Sequence, residues 1–356
     1  MNSLLKKINW KLFLPAFLLT VLGLISIQSI SQGDNLQKQL IFFALSLLIA
    51  LVVSFFDFRF FRTNSRLILV IYFISILLLS GLLFFGSEIR GVKGWYKMGP
   101  ISFDPVPISA VVLIIVLSKY FSTRHIETKR FQPILFSLLY LLIPFLLILF
   151  QPDLGSALVL ICIWMGIVIF SGLELRHFFI LGLIALILLG LAWGFWLEDY
   201  QKERIYAFLR PNLDPQGASW NINQSKIAIG NGGLLGKGIN KGSQTQYGFL
   251  PEASTDFIFS TIAEEEGFLG ISLLIFLFIF LFFQIIKIVF QRRDNFTRLF
   301  AVGFILMIFS QSVINIGMTL GLLPIIGIPL PFVSYGGSQL LGFYLGLGIL
   351  SSLSRH

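Results

Sequence analysis

Charge is what this sequence has least of. Only 12% of its 356 residues are charged, where a soluble domain carries about 25%. So few ionic side chains cannot cover a water-facing surface, and the soluble globular classes drop out. Cysteine is nearly absent too. The single residue, Cys162, sits inside an apolar run, which excludes disulfides and thiolate metal sites. Histidine occurs only at His125, His177 and His356. Acidic residues number 17, so a carboxylate beside a hydrophobic run is costly and asks for a reason.

What the chain does have is apolar length. Hydrophobic residues make up 56% and mean hydropathy is +0.89. They come in blocks of about 18–25 residues, enough to cross a bilayer as helix. The pattern predicts an all-α polytopic membrane protein of about ten spans, at roughly 12–30, 39–56, 67–86, 105–121, 133–150, 154–172, 178–196, 267–290, 299–322 and 335–353. One domain covers 1–356, with a large extracytoplasmic loop at 196–256 between spans seven and eight. The first span follows Lys6, Lys7 and Lys11 but is long and lacks a small-residue cleavage site, so it reads as a retained helix and not a signal peptide.

An even number of spans puts both termini on one side, and basic residues say which. Segments facing the N-terminal side hold sixteen of the 26 Lys and Arg, short loops opposite hold four, and the long loop holds six. Long loops do not count in the positive-inside rule, so both ends are expected in the cytoplasm. The net charge of +9 is then a topology signal with some attraction to anionic lipid, not a nucleic-acid surface. All three histidines fall on the cytoplasmic side, which leaves an outward site without a histidine base or ligand.

Four outward segments carry nearly all the unusual residues: Gly86–Pro107, Gln151–Ala157, the long loop, and Gly321–Gln339. A site built there has no ready access to cytosolic ATP. Asp153, between Pro152 and Leu154, reads either as an N-cap of the next span or as a wall of a shared cavity. Ser225–Gly238 suggests a phosphate loop but fails the Walker spacing, with Asn231 where the first Gly belongs and Gly238 after Lys237. A tight glycine turn, or a looser hold on phosphate by its amides and Lys237, remains.

Asp256 is the most informative position. The block Gly267–Phe290 already spans, so Asp256–Ala263 is surplus and predicts a separate short helix or re-entrant turn at the interface, with Glu264, Glu265 and Glu266 near headgroup level. Thr261 and Glu264 fit a capping box. Asp256 could merely cap the following residues, yet Glu252, Lys226, Arg204 and Arg210 share its face, which favours a chemical role. In the last loop, Pro324, Pro329 and Pro331 break the backbone, and Ser334 and Tyr335 with Gly336 and Gly337 open a helix whose amides could meet an anion.

At these residues the chain resembles the SEDS family. The resemblance runs through QPDLGSA (from Gln151), QSKIAIGNGGLLGKG (from Gln224), FLPEASTDFIF (from Phe249) with AEE and GFLG, and GLLPIIGIPLPFVSYGGS (from Gly321). It implies a peptidoglycan glycosyltransferase that joins lipid II disaccharides into glycan strands at the outer face of the bacterial cytoplasmic membrane. It also implies a class B penicillin-binding protein as partner, within the rod elongation complex. Asp256 matches the family's essential aspartate and is expected to act as general base. Arg204, Arg210, Lys226 and Lys237 are expected to meet the lipid diphosphate, with Glu252, Asp153, Ser334 and Tyr335 lining the substrate site.

No cofactor and no metal cluster is evident, although a divalent cation bridging Asp256 and diphosphate stays open. The chain departs from the family in its second outward loop. There Gly94 precedes Trp95 where an Arg is usual, Asp104-Pro105-Val106-Pro107 stands for Gln-Pro-Ser-Glu, and Ala110 stands for a Lys. Two other readings compete with the polymerase. A precursor flippase should show polar residues at mid-span in several helices, and here the spans are nearly clean. The other is a non-catalytic scaffold for a transpeptidase.

Overall fold

The computed structural model describes residues 9–30, 33–89, 91–99, 101–123, 131–172, 174, 176–180, 182–183, 190, 194, 199–210 and 218–355. Its helices are α1 (Trp10–Ile30), α2 (Asp34–Phe55), α3 (Arg59–Thr63), α4 (Ser65–Phe85), α5 (Val106–Thr123), α6 (Phe131–Leu149), α7 (Leu154–Phe170), α8 (Asp199–Leu209), α9 (Ala218–Gly232), α10 (Ser243–Gln246), α11 (Ile258–Gln291), α12 (Asn295–Thr319) and α13 (Gly337–Leu353). Among the described residues, seven helices are long and apolar enough to cross a membrane, and α7 and α13 are shorter apolar helices. Most of the expected span 178–196 lies outside the described residues.

Helix α5 packs against α4, α6, α7, α12 and α13 and is buried over most of its length, so it forms the central post. Helices α2 and α4 turn rows of Leu, Ile and Phe outward, Ile41, Leu48, Phe73 and Phe84 among them. In lipid, apolar burial does not drive helices together; close packing and interhelical hydrogen bonds do. Trp164 Nε1 donates to Ser137 Oγ at 3.0 Å, joining α7 to α6. Tyr72 donates to the Tyr140 carbonyl at 2.9 Å, joining α4 to α6. Such bonds contribute about 0.6 kcal/mol each.

The residue before α1 and the end of α13 meet at one end of the bundle. The amide of Asn9 donates to Ser351 Oγ at 3.3 Å, and Arg292, just past α11, donates to the Ser354 carbonyl. The start of α11, and Asp256 with it, lies at the opposite end.

The outward loop Gly86–Pro107 carries local structure of its own. It folds as a three-stranded antiparallel sheet of β1 (Ser87–Ile89), β2 (Val92–Met98) and β3 (Ile101–Phe103). Val, Trp, Tyr, Ile and Phe favour strand, and positive-φ glycines at 91 and 99 make the reversals. Tyr96 fastens the sheet to α4 by donating to the Leu78 carbonyl at 2.6 Å.

Candidate active site

The surplus length before span eight does form a separate short helix. Helix α11 breaks at Gly267 (φ 69°, ψ −161°), which leaves a short helix from Ile258 ahead of the long membrane-crossing part. A break strands backbone donors and acceptors, which must find partners if buried. The glycine-rich segment after α9 supplies them. Phe268 and Leu269 donate to the carbonyls of Gly233 and Leu234 at 2.9 and 3.2 Å. The amides of Lys237 and Gly238 donate to the carbonyls of Glu264 and Glu265, both at 2.9 Å. The segment is therefore a backbone splice laid across the kink.

This sets aside the phosphate-loop use of those amides, since the Lys237 and Gly238 N–H groups are taken. The Lys237 ammonium donates to Ser243 Oγ at 3.2 Å from an exposed position. The capping-box expectation about the acidic run is corrected as well. Glu264 is fully buried and is not half of a capping box. Its oxygens accept from the amides of Gln244 and Thr245 at 2.9 and 3.1 Å and from the Thr245 hydroxyl at 2.9 Å. Thr261 instead donates to the Ala253 carbonyl at 3.3 Å. Glu265 belongs to the same network. It is buried and accepts from Ser29 Oγ and, at 3.3 Å, from Gln246 Nε2. These carboxylates bind the loop between α9 and α11 onto the short helix.

Asp256 closes the tight turn before that helix. The N-cap position is Phe257 and has no side-chain cap, so Asp256 is not the cap of the helix. The turn is fixed from three directions. Asn315, fully buried on α12, donates Nδ2 to the Asp256 carbonyl at 2.8 Å and to the Ile328 carbonyl at 2.7 Å. Ser334 Oγ donates to the Thr255 carbonyl at 2.6 Å and accepts the Leu330 amide at 2.7 Å. The Tyr335 amide donates to the Ser254 carbonyl at 2.8 Å. Glu252, at a φ of 53°, accepts the Thr255 hydroxyl at 3.1 Å and so braces the same turn.

The Asp256 carboxylate points to the segment between α12 and α13. A Cβ placed on Gly327 would lie 3.5 Å from its Oδ2, and Gly327 is exposed. On the far side of that segment, a Cβ on Gly155 would meet Ile328 at 2.7 Å and Ile326 at 3.4 Å. Two residues earlier, Asp153 caps α7 by accepting the Ser156 amide at 3.0 Å. Of its two readings, the N-cap is the one this bond shows. Asp104 faces Asp153 from the β3–α5 junction. Burial pushes its carboxyl up to about 7, its bond to the Val106 amide opposes this, and the neighbouring Asp153 adds to the rise. Burial also raises Asp153, partly offset by its cap bonds to Ser156 and Gly155. Both keep partial solvent access.

The other expected site residues scatter. Lys226, on α9, lies against the backbone of Gly321 at the end of α12. Its neighbour Ser225 donates to the Thr319 carbonyl at 2.7 Å and pairs with Ser260 at 2.7 Å. That brings Lys226 to the end of the helix that carries Asn315. Arg210 is exposed at the end of α8, and the side chain of Arg204 lies outside the described residues. Ser334 and Tyr335 do meet the Asp256 turn, but through a buried hydroxyl and a committed amide. Among the described residues, no three His, Cys, Asp or Glu side chains group as a metal site.

Sequence reasoning missed Gln39, Asn315 and Asp104. Asn315 was legible as a polar residue within an apolar run, whereas Gln39 follows Gln37 and Lys38 at the edge of one. Asp104 stood in the departing loop, where attention went to the charges that were gone.

A polytopic helical membrane protein with a fixed carboxylate at one rim is the class that fold and site define. The family model described as "Cell cycle protein", which spans FtsW, RodA and SpoVE, matches residues 9–356. The chain belongs to this SEDS family. It is 37% identical over 286 residues to "Peptidoglycan glycosyltransferase MrdB" of Escherichia coli K12, covering 80% of this chain and 77% of that one. It is 34% identical over 359 residues to "Stage V sporulation protein E" of Bacillus subtilis, covering 97% and 96%. Among solved structures, a chain from a peptidoglycan synthase complex that coordinates polymerization and crosslinking matches with a TM-score of 0.84, at 31% identity and 98% coverage of both chains. The rod shape determining protein RodA of Thermus thermophilus matches with a TM-score of 0.73, at 30% identity, covering 98% and 97%.

Proposed function

We propose that this protein is a rod-elongation peptidoglycan glycosyltransferase that polymerises lipid II at the outer face of the bacterial cytoplasmic membrane, with Asp256 as general base. Both termini then lie in the cytoplasm and the α8–α11 connection lies outside. The observation that carries the reading is the Asp256 turn, whose backbone carbonyls accept from Asn315 and Ser334 while the carboxylate faces Gly327.

The acceptor sugar's hydroxyl is a poor nucleophile until its proton leaves, and a placed carboxylate taking that proton contributes about 10²–10⁴-fold. The oxygen attacks the donor's anomeric carbon as the bond to the lipid diphosphate breaks. The electron pair departs with the diphosphate, and the configuration inverts. No second nucleophilic carboxylate is needed. Lys226, Lys237, Arg210 and Arg204 are the cations available to the leaving diphosphate. Glu252, Ser334 and Tyr335 shape the turn that holds the base, and Asp153 lines the opposite wall. A class B penicillin-binding protein is the proposed partner for cross-linking.

Purified protein given labelled lipid II tests this. Glycan chains should form, and Asp256→Asn should cut the rate by at least ~100-fold while lipid II binding persists. Undiminished polymerisation in that variant would remove the assignment.

A further inference from the structure

Gln39 lies in the second turn of α2, a helix that otherwise turns mostly apolar side chains outward, and it is 1% exposed. A buried amide must have its donors and acceptor met. Its Nε2 donates to the Ser334 carbonyl at 3.2 Å and its Oε1 accepts the Gly336 amide at 3.1 Å. The side chain thus pairs with the backbone on both sides of Tyr335, as a neighbouring strand would. One turn further along α2, the ring of Phe42 lies directly on Gly337, leaving no space for a Cβ there.

The segment so gripped is the one that holds the base. Ser334 Oγ reaches the Thr255 carbonyl at 2.6 Å and the Tyr335 amide reaches the Ser254 carbonyl at 2.8 Å. Both acceptors precede Asp256 by one or two residues. Phe332 in the same loop sits at a φ of 65°, unusual for a bulky residue, and is held by packing on Phe343 and Tyr344. A strained loop keeps its shape only while its surroundings over-determine it, and Gln39 is one of the groups that does so.

We propose that Gln39 is a positioning residue for the reaction: its amide sets the Ser334–Gly336 segment against which the Asp256 turn is held. The inference rests on Asp256 being the base. Removing the amide strands a buried carbonyl and a partly buried N–H, and the segment relaxes to rehydrate them. The base then shifts relative to the sugar hydroxyl without any change in the groups that bind the lipid.

The test is steady-state polymerisation of lipid II by full-length Gln39→Leu, Ser334→Ala and the double variant, with thermal melting alongside. Misplacement of a reacting group by about 1 Å costs on the order of 100-fold. Gln39→Leu should therefore lower kcat by about 10–100-fold and leave KM within about 3-fold. The double variant should lose little more than the worse single one, because the two side chains act through one segment. An unchanged kcat, or losses that multiply in the double variant, would overturn the proposal. So would a kcat loss that only tracks a lowered melting temperature. Asp256→Asn in the otherwise native chain keeps the two claims apart. If it abolishes synthesis while Gln39→Leu is normal, only the positioning role falls; if it is active, the base assignment falls first.

Discussion

Gly236→Ala is the sharpest perturbation of the splice that supports the short helix. Gly236 has a φ of 76°, and a Cβ there would overlap the Glu265 carbonyl oxygen. That oxygen is also the acceptor of the Gly238 amide at 2.9 Å. Two costs follow. An L-residue in the left-handed region costs about 1–2 kcal/mol. The overlap pushes the two backbones apart, and each splice bond lost costs about 0.5–1.5 kcal/mol net, more where a buried donor is orphaned. Losing two of the four bonds brings the total to about 2–5 kcal/mol.

Two neighbours serve as controls. Gly233 also has a positive φ, 55°, but nothing lies within 4 Å of a Cβ placed there, so Gly233→Ala should cost about 1–2 kcal/mol. Gly230 has open space and lies in α9, so Gly230→Ala should be neutral or stabilising by up to about 1 kcal/mol. Melting of the detergent-solubilised protein should rank Gly230→Ala at or above wild type, then Gly233→Ala, then Gly236→Ala well below. Lipid II polymerisation should fall in the last alone. If Gly236→Ala melts with Gly233→Ala, the close approach is irrelevant and the splice does not support the helix.

Asp104 predicts a pH effect on stability. Its folded value of about 7 lies above the unfolded value of about 3.9, so the folded state binds the extra proton. That stability is present in full below about pH 4 and is lost as pH rises through about 7. Three units would be about 4 kcal/mol, which residual water access reduces to about 2 kcal/mol. Melting should therefore fall between mildly acidic and mildly alkaline buffer, and Asp104→Asn should flatten that fall. An unchanged slope in the variant would refute it. Gly342→Ala places a methyl 2.8 Å from Pro107 Cβ and should cost about 1–3 kcal/mol by overpacking, read as a lowered melting temperature. No change would mean that α5 and α13 have slack there.

The fold was legible because its signals are long and local. Runs of 17 or more apolar residues, such as Leu154–Phe170, stand out wherever they sit, and counting residues from Gly267 to Phe290 already required a break before the span. The β-sheet at Ser87–Phe103 escaped because three short strands leave little periodicity to read. Asp256 was legible as a costly carboxylate, but its supports were not. Asn315, Ser334 and Gln39 reach it across separations of 59, 79 and, through Ser334, 295 residues, and no local pattern encodes such pairings. The glycine segment showed its composition but not its use, because a phosphate nest and a backbone splice both need glycine for close approach.

The departing loop takes on a different meaning once the start of α13 is considered. Pro107 and Ala110 are buried, and Pro107 packs against Gly342 with no space for a charged chain. The Asp104 amide donates to Ser338 Oγ at 2.8 Å. Four residues before Ser338, Ser334 bonds to Thr255. The altered loop and the Asp256 turn therefore hang on one stretch of backbone, the stretch that Gln39 grips. Losing the charges at positions 107 and 110 does not leave the loop unfastened, since neutral contacts hold it. It does remove cations and anions from that wall and leaves a carboxyl, Asp104, that burial favours as the neutral acid. In the proposed mechanism, compensation for the leaving diphosphate falls to other cations, Lys226 against the end of α12 among them. On that argument Lys226→Met should lower kcat more than any neutralisation of Lys93 or Lys97, which are exposed on β2.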